Sequence, residues 1–308
     1  MAKVLYDTIQ DEILELKRER NALILAHNYQ LGEVQDIADY LGDSLGLALQ
    51  AQKSNAEVIL FCGVQFMAET VSVLCPEKTV IIPDLDAGCS LSSMVDSEQV
   101  KAWKKGHPGG IVLSYVNCSA AVKAESDYCC TSANAEKVLR SISEDREVLF
   151  IPDFFLGRYL EEKTGRKLHL WKGYCHAHMK ISSEHIDELR RDHPNAEFLM
   201  HPECGCLTKS MQFADKILST EGIVKHVNDS SAGEFIIATE VGIIDRLKRV
   251  QPKKKFYPAG EYATCEYMKL NTLEKMVNAL ERLQYAIKVP KDIADRARVP
   301  LERMLALS

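Results

Sequence analysis

Three times along the chain an apolar strand stops at a polar triplet, and each time a cysteine follows 60 to 64 residues after the triplet begins. The triplets are His27-Asn28-Tyr29 after Leu23 to Ala26, Tyr115-Val116-Asn117 after Ile111 to Ser114, and His201-Pro202-Glu203 after Glu197 to Met200. The cysteines are Cys89, Cys175 and Cys265. A period of about 85 to 90 residues is longer than a solenoid repeat. It predicts three small domains around a pseudo-threefold axis, with equivalent strand ends and three thiols aimed at one point.

Each repeat carries the same order of elements. In the first, a helix is expected over Glu33 to Gly42, a second opens at Asp43-Ser44, Val58 to Phe61 is a strand, Gln65 to Leu74 a helix and Thr79 to Ile82 a strand, after which a loop delivers Cys89. In the second, Thr131-Ser132 opens a helix to Ile142, Val148 to Ile151 and Leu168 to Leu170 are strands, and Gly173-Tyr174 delivers Cys175. In the third, Ser230-Ser231 precedes the strand Phe235 to Ala238, and Lys255 to Tyr257 is a short strand upstream of Cys265. Apolar strands alternating with helices predict parallel sheets covered on both faces. The expected fold is α/β, with three homologous αβα domains over 22–104, 105–184 and 185–270, flanked by helices in 1–21 and 271–308. In such sheets ligands bind beyond the carboxyl ends of the strands, where the triplets and cysteines fall.

Composition excludes several classes. The 308 residues carry a net charge of -6 and are 46% apolar, which gives no basic surface for nucleic acid. Met1 to Asn21 is charged throughout, unlike a signal peptide. It reads as an amphipathic helix with Leu5, Ile9, Ile13 and Leu16 on one face. No apolar run reaches the roughly 20 residues that span a bilayer, so no membrane is expected and the location is read as cytoplasmic. In a reducing compartment ten cysteines read as packed thiols, metal ligands or catalysts in preference to disulfides.

Position in the repeat selects three of the ten. Cys62 and Cys75 fall in apolar runs and read as core; Cys118, Cys129 and Cys130 lie near the second triplet. Cys204 and Cys206 form a C-x-C, the strongest rival ligand pair, without the second close pair of a zinc knuckle. Only Cys89, Cys175 and Cys265 match in all three units. Three thiolates without a fourth suit a 4Fe-4S cluster with one iron left open as a Lewis acid.

The triplets add His27, Tyr29, Tyr115, His201 and Glu203, side chains that transfer or donate protons. His178, three residues after Cys175, is placed to reach the same cavity, and His176 is expected to turn away. Ser44, Thr131, Ser132, Ser230 and Ser231 stand where helices are expected to begin, as N-caps or as anion contacts at helix starts. Tyr115 to Ser132 repeats the 17-residue separation of His27 to Ser44, and His201 to Ser230 stretches it to 29.

These residues, with Gly63-Val64-Gln65-Phe66-Met67-Ala68-Glu69, Gly173-Tyr174-Cys175-His176-Ala177-His178 and Cys265 with Met268-Lys269, resemble the quinolinate synthase family over nearly the whole chain. The resemblance implies three αβα domains and a 4Fe-4S cluster held by Cys89, Cys175 and Cys265. It implies condensation of iminoaspartate with dihydroxyacetone phosphate to quinolinate, with loss of phosphate and two waters, in NAD biosynthesis. An aspartate oxidase or dehydrogenase would supply the iminoaspartate. His27, Ser44, Ser132, His178, Ser230 and Ser231 are implied as substrate contacts, with Ser230 against Ser231 and Thr131 against Ser132 left open. Tyr29, Tyr115, Asn117, His201 and Glu203 are implied as the catalytic wall, with Glu203 the general base. Some members carry two further cysteines where this chain has Ala259 and Tyr262; redox control through that pair is not expected. The same thiols would also serve a sensor without turnover, or a lyase that dehydrates one hydroxy acid.

Overall fold

The computed structural model describes residues 7–307. Twelve strands form three separate four-stranded parallel sheets. The first contains β1 (Ala22–His27), β2 (Tyr40–Gly42), β3 (Val58–Cys62) and β4 (Thr79–Ile81). The second contains β5 (Ile111–Tyr115), β6 (Tyr128–Cys130), β7 (Val148–Ile151) and β8 (His169–Leu170). The third contains β9 (Glu197–Met200), β10 (Lys216–Ile217), β11 (Glu234–Ala238) and β12 (Lys255–Pro258). Their orders, β2-β1-β3-β4, β6-β5-β7-β8 and β10-β9-β11-β12, are one topology used three times. In each, the chain leaves the first strand to one side and returns on the other, a topological switch point. The polar triplets begin with the last residue of β1 and of β5 and directly after β9, at these points.

Alternation along the strands explains why three sheets share one protein. Leu25, Ile59 and Phe61 of the first sheet, Leu113, Val148 and Phe150 of the second, and Leu199, Phe235 and Ile237 of the third meet in one continuous core. The side chains between them face outward into smaller cores. Ile24, Ala26 and Leu60 pack with Ile13 and Leu16 of the helix Ile9–Glu19 and with Met276 and Leu280 of the helix Leu273–Arg282. Val112 and Ile151 pack with Val100, and Phe198 and Ile236 with Ile186. Strands covered on both faces need near-continuous apolar runs, and β3 is buried along its whole length. Leu5 of the expected amphipathic set lies outside the described residues.

One element type went beyond the sequence reading: an edge strand in every sheet. The helix expected to run to Gly42 ends at Ile37, and Tyr40–Gly42 pairs in parallel with β1. The cause is an aspartate. Asp39 donates its N–H to Ile24 O (2.9 Å) and accepts the Ile24 N–H on its carboxylate (2.8 Å). Asp127 does the same with Val112 (2.9 and 2.8 Å), and Asp215 with Phe198 (2.9 and 2.7 Å). Each locks an extended segment beside the first strand, where two or three ladder residues alone would leave backbone groups of the central strand unpaired.

Candidate active site

The carboxyl ends of the three sheets converge on one cavity, walled by all three repeats. Cys89, Cys175 and Cys265 all line it, and none is in a disulfide. Each stands in the loop after the last strand of its sheet, and each is followed three residues later by a one-turn 3₁₀ helix: Ser92–Met94, His178–Lys180 and Met268–Leu270. The turn aims a backbone N–H at each sulfur. Ser92 N lies 3.5 Å from Cys89 Sγ, and the N–H groups of His178 and Met268 act likewise on Cys175 and Cys265. Burial pushes the thiols up, to about 12 for Cys89 and about 11 for Cys265, and the sulfurs repel one another as they ionise. Thiolates crowded this way and facing N–H donors suit a cationic iron-sulfur centre, in which such donors tune the sulfurs.

The loops are fitted to one another. His176 accepts or donates at both ring nitrogens, to Ser90 Oγ (2.6 Å) and Glu266 Oε2 (2.7 Å). These three residues directly follow the three cysteines. His176 therefore borders the cavity and clasps the loops, contrary to the expectation that it turns away. Gly173, upstream of Cys175, has no room for a side chain: a Cβ there would sit 2.3 Å from Pro152 O.

The triplets line the same cavity, and a ligand atom of Glu203 lies within 4.8 Å of those of Cys175 and His178. Glu203 is buried, with His178 Nδ1 at 3.2 Å and His201 Nδ1 at 3.6 Å from Oε2; the His178 contact lacks hydrogen-bond geometry. Asn117 Nδ2 approaches Oε1 at 3.4 Å. Burial raises Glu203 to about 7, against a hydrogen bond from Tyr115 that pulls the other way. The same burial lowers His27 and His178 to about 3 and His201 well below the usual range, so all three imidazoles are neutral. Tyr29 and Tyr115 are held well above 10, first by burial and then by the Glu203 charge. Tyr29 and His178 share Thr239 Oγ1, and His201 Nε2 lies 3.2 Å from Ser132 Oγ.

The hydroxyls expected at helix starts divide. Ser44 and Ser132 line the cavity, and so does Thr131; the N-cap of the helix Ser44–Lys53 is Asp43, which accepts Gly46 N–H at 2.8 Å. Ser230 and Ser231 are not brought there. Ser230 closes the helix Thr220–Asp229 and donates to Glu197 at the start of β9 (2.8 Å), at the opposite end of the sheet; Ser231 is exposed. Their place is taken by Thr220, three residues past the register partner of Met200, just as Ser44 and Ser132 lie three past those of Ala26 and Ser114. Thr220 lines the cavity and accepts from Asn28 Nδ2 at 3.1 Å. The C-x-C thiols Cys204 and Cys206 are buried in the outer core of the third sheet, away from the three cavity cysteines.

Two buried carboxyls escaped the sequence reading. Glu240 is fully buried and lines the cavity; it accepts from Cys265 N (3.0 Å), Gly242 N (2.7 Å) and Lys269 Nζ (3.0 Å). Lys269 in turn donates to Tyr29 O, which ties the third cysteine loop to the first triplet. Asp153 caps the helix Phe154–Thr164 with one oxygen, and its other oxygen has no partner among the described residues. Burial, and after it the Glu203 charge, raise its pKa well above the usual carboxylate range. Asp153 follows β7, and Glu240 lies two residues past β11, the positions where the matching strands of a repeated fold would place them.

A thiol-lined cavity at the strand ends of three fused αβα units, with a buried carboxyl raised to about 7, has the make-up of an enzyme active site. Residues 11–306 match the family model described as NadA, Quinolinate synthetase A protein. The chain is similar to the quinolinate synthase of Thermus thermophilus, 52% identical over 309 residues with all of both chains covered. It is 53% identical to that of Pyrobaculum aerophilum over 302 residues (96% of this chain, 98% of the relative). It is 50% identical to quinolinate synthase 2 of Methanosarcina acetivorans over 300 residues (97% and 96%). The chain belongs to the quinolinate synthase family.

Proposed function

We propose that this enzyme condenses iminoaspartate with dihydroxyacetone phosphate to give quinolinate, phosphate and two waters, for NAD biosynthesis. The observation that carries the proposal is the meeting of Cys89, Cys175 and Cys265 in one cavity, one from each repeat and each with an N–H aimed at its sulfur, with Glu203 beside Cys175. These three thiolates would hold a 4Fe-4S cluster. When bound, the cluster would supply an iron without a protein ligand, a Lewis acid for hydroxyl and carboxylate oxygens.

The remaining chemistry belongs to the chain. Ser44, Ser132 and Thr220 offer hydroxyls for carboxylate or phosphate oxygens, and neutral His27 offers an N–H. Its Nδ1 accepts the Tyr29 backbone N–H at 3.2 Å, so the proton sits on Nε2. Glu203, at about 7, is half ionised at neutral pH and suits a base that removes a proton beside an imine or carbonyl. Asn117 orients its carboxylate, while His201, whose Nδ1 accepts the Glu203 backbone N–H at 3.4 Å, carries its proton on Nε2, toward Ser132. Tyr29 and Tyr115 stay protonated and are placed to return protons to departing oxygens. A cavity walled by all three units would limit the access of water to hydrolysis-prone imines.

The test is protein purified without oxygen and assayed with both substrates. Quinolinate formation that requires both, and that stops when a chelator removes the iron, supports the proposal. Bound iron and sulfide without product would favour a sensor, and dehydration of a single hydroxy acid would favour a lyase; either overturns it.

A further inference from the structure

A second constellation of ligand-type side chains lies at the other end of the second sheet. His107 caps the C terminus of the helix Ser97–Gly106, Glu147 immediately precedes β7, and His169 opens β8. These are the amino ends of the strands, whereas the cavity lies at their carboxyl ends. One ligand atom from each of the three lies within 4.8 Å of the other two, with His169 Nε2 3.8 Å from Glu147 Oε2.

The first imidazole is preorganised. His107 Nδ1 lies 2.9 Å from Trp103 O; a carbonyl can only accept, so Nδ1 carries the proton and Nε2 keeps a free lone pair. Metal-binding histidines are oriented by this kind of second bond. The Trp103 ring stacks on His107 at 4.3 Å and 10°, which fixes the plane of the imidazole. The His169 ring meets it edge-on at 5.0 Å. Nothing in the helix or the sheet requires two imidazoles and a carboxylate to share this corner.

We propose that His107, Glu147 and His169 form a site for a divalent transition metal of the zinc class. Two imidazole nitrogens and one carboxylate with a fourth position left to water is an established zinc donor set. Bonds of about 2.0–2.2 Å require the ligands to close up slightly, and the half-exposed Glu147 and His169 side chains have the freedom to do so. The metal would tie the end of a helix to two neighbouring strands. It would therefore stabilise the fold without touching the reaction.

The test is calorimetric titration of zinc ions into the protein as purified without oxygen, for the wild type and for His107→Ala and His169→Ala separately. One class of site, near one zinc per chain, is expected in the wild type and at least about tenfold weaker in each variant. Saturating zinc is expected to raise the Tm of the wild type and not that of His169→Ala. Because the site lies apart from the cavity, both variants are expected to keep wild-type turnover, which also shows that they fold. Wild-type zinc isotherms in both variants, or no zinc uptake that either substitution reduces, would overturn the proposal.

Discussion

Two parts of the cavity are built from the same threefold repeat with different fidelity. The cysteine loops copy one another: last strand, loop, cysteine, then a 3₁₀ turn three residues on, in every unit. The polar ledge beside the second strand of each sheet does not. Ser44 and Ser132 fall 17 residues after their triplets, but in the third unit the chain after His201 first makes two short helical turns, Leu207–Ser210 and Met211–Phe213, and the ledge arrives late, at Thr220. Three equal ligands round one centre demand equal loops. The unsymmetrical pair of substrates proposed above would demand unequal walls, and Glu203, His201 and the displaced Thr220 are all in the unit that departs from the pattern.

The largest expected effect breaks the symmetric part. Cys89→Ser, Cys175→Ser and Cys265→Ser should each abolish quinolinate formation and release iron, read by iron content alongside turnover, while Cys204→Ser should retain bound iron. Equal tolerance of all four changes would remove the distinction that the repeat draws. Next, Glu203→Gln should lower kcat by about 10²- to 10⁴-fold with iron content unchanged, which separates the reacting wall from the ligand loops. A variant within a factor of two of the wild type would exclude Glu203 as the base.

A pH profile sharpens the same point. Burial raises Glu203 to about 7, and the base must be deprotonated. Turnover should therefore fall as pH drops through 7, about tenfold per unit on the acid side, at constant iron content. His27 and His178 are lowered to about 3 and His201 well below the usual range, and they should add no inflection between pH 5 and 8. The smallest effect tests the displaced ledge. Thr220→Val removes a hydroxyl that can donate to a substrate anion, a bond of about 1.5–3 kcal/mol, and should raise KM by about tenfold or more; Ser231→Ala should leave it unchanged. The reverse result would restore the 29-residue spacing.

Much of this contrast was legible in the sequence. The triplets and cysteines stand out because they interrupt apolar runs at a regular interval, and the strands β1, β3, β5, β7, β9 and β11 are long enough to show it. Of the edge strands, β4, β8 and β12 were read from their own short apolar runs, whereas β2, β6 and β10 were not legible: two or three residues carry no periodicity, and Tyr40–Gly42 reads as the tail of a helix. Their mark was present all the same in Asp39, Asp127 and Asp215, spaced 88 residues apart in both intervals. Ser230-Ser231 misled because a serine pair reads equally well at either end of a helix. Glu240 and Asp153 were missed because isolated carboxylates after a strand look like surface; only the fold buries them.

The central claim is that three protein thiols hold one cluster and leave one iron to the substrate. Mössbauer spectroscopy of the iron-57-enriched protein, prepared without oxygen, tests it directly when recorded with and without quinolinate. The account predicts four irons per chain with one site distinct from the other three, and a change at that site alone when quinolinate is added. Four equivalent irons indifferent to quinolinate, or a protein that carries zinc at these cysteines in place of iron, would contradict it.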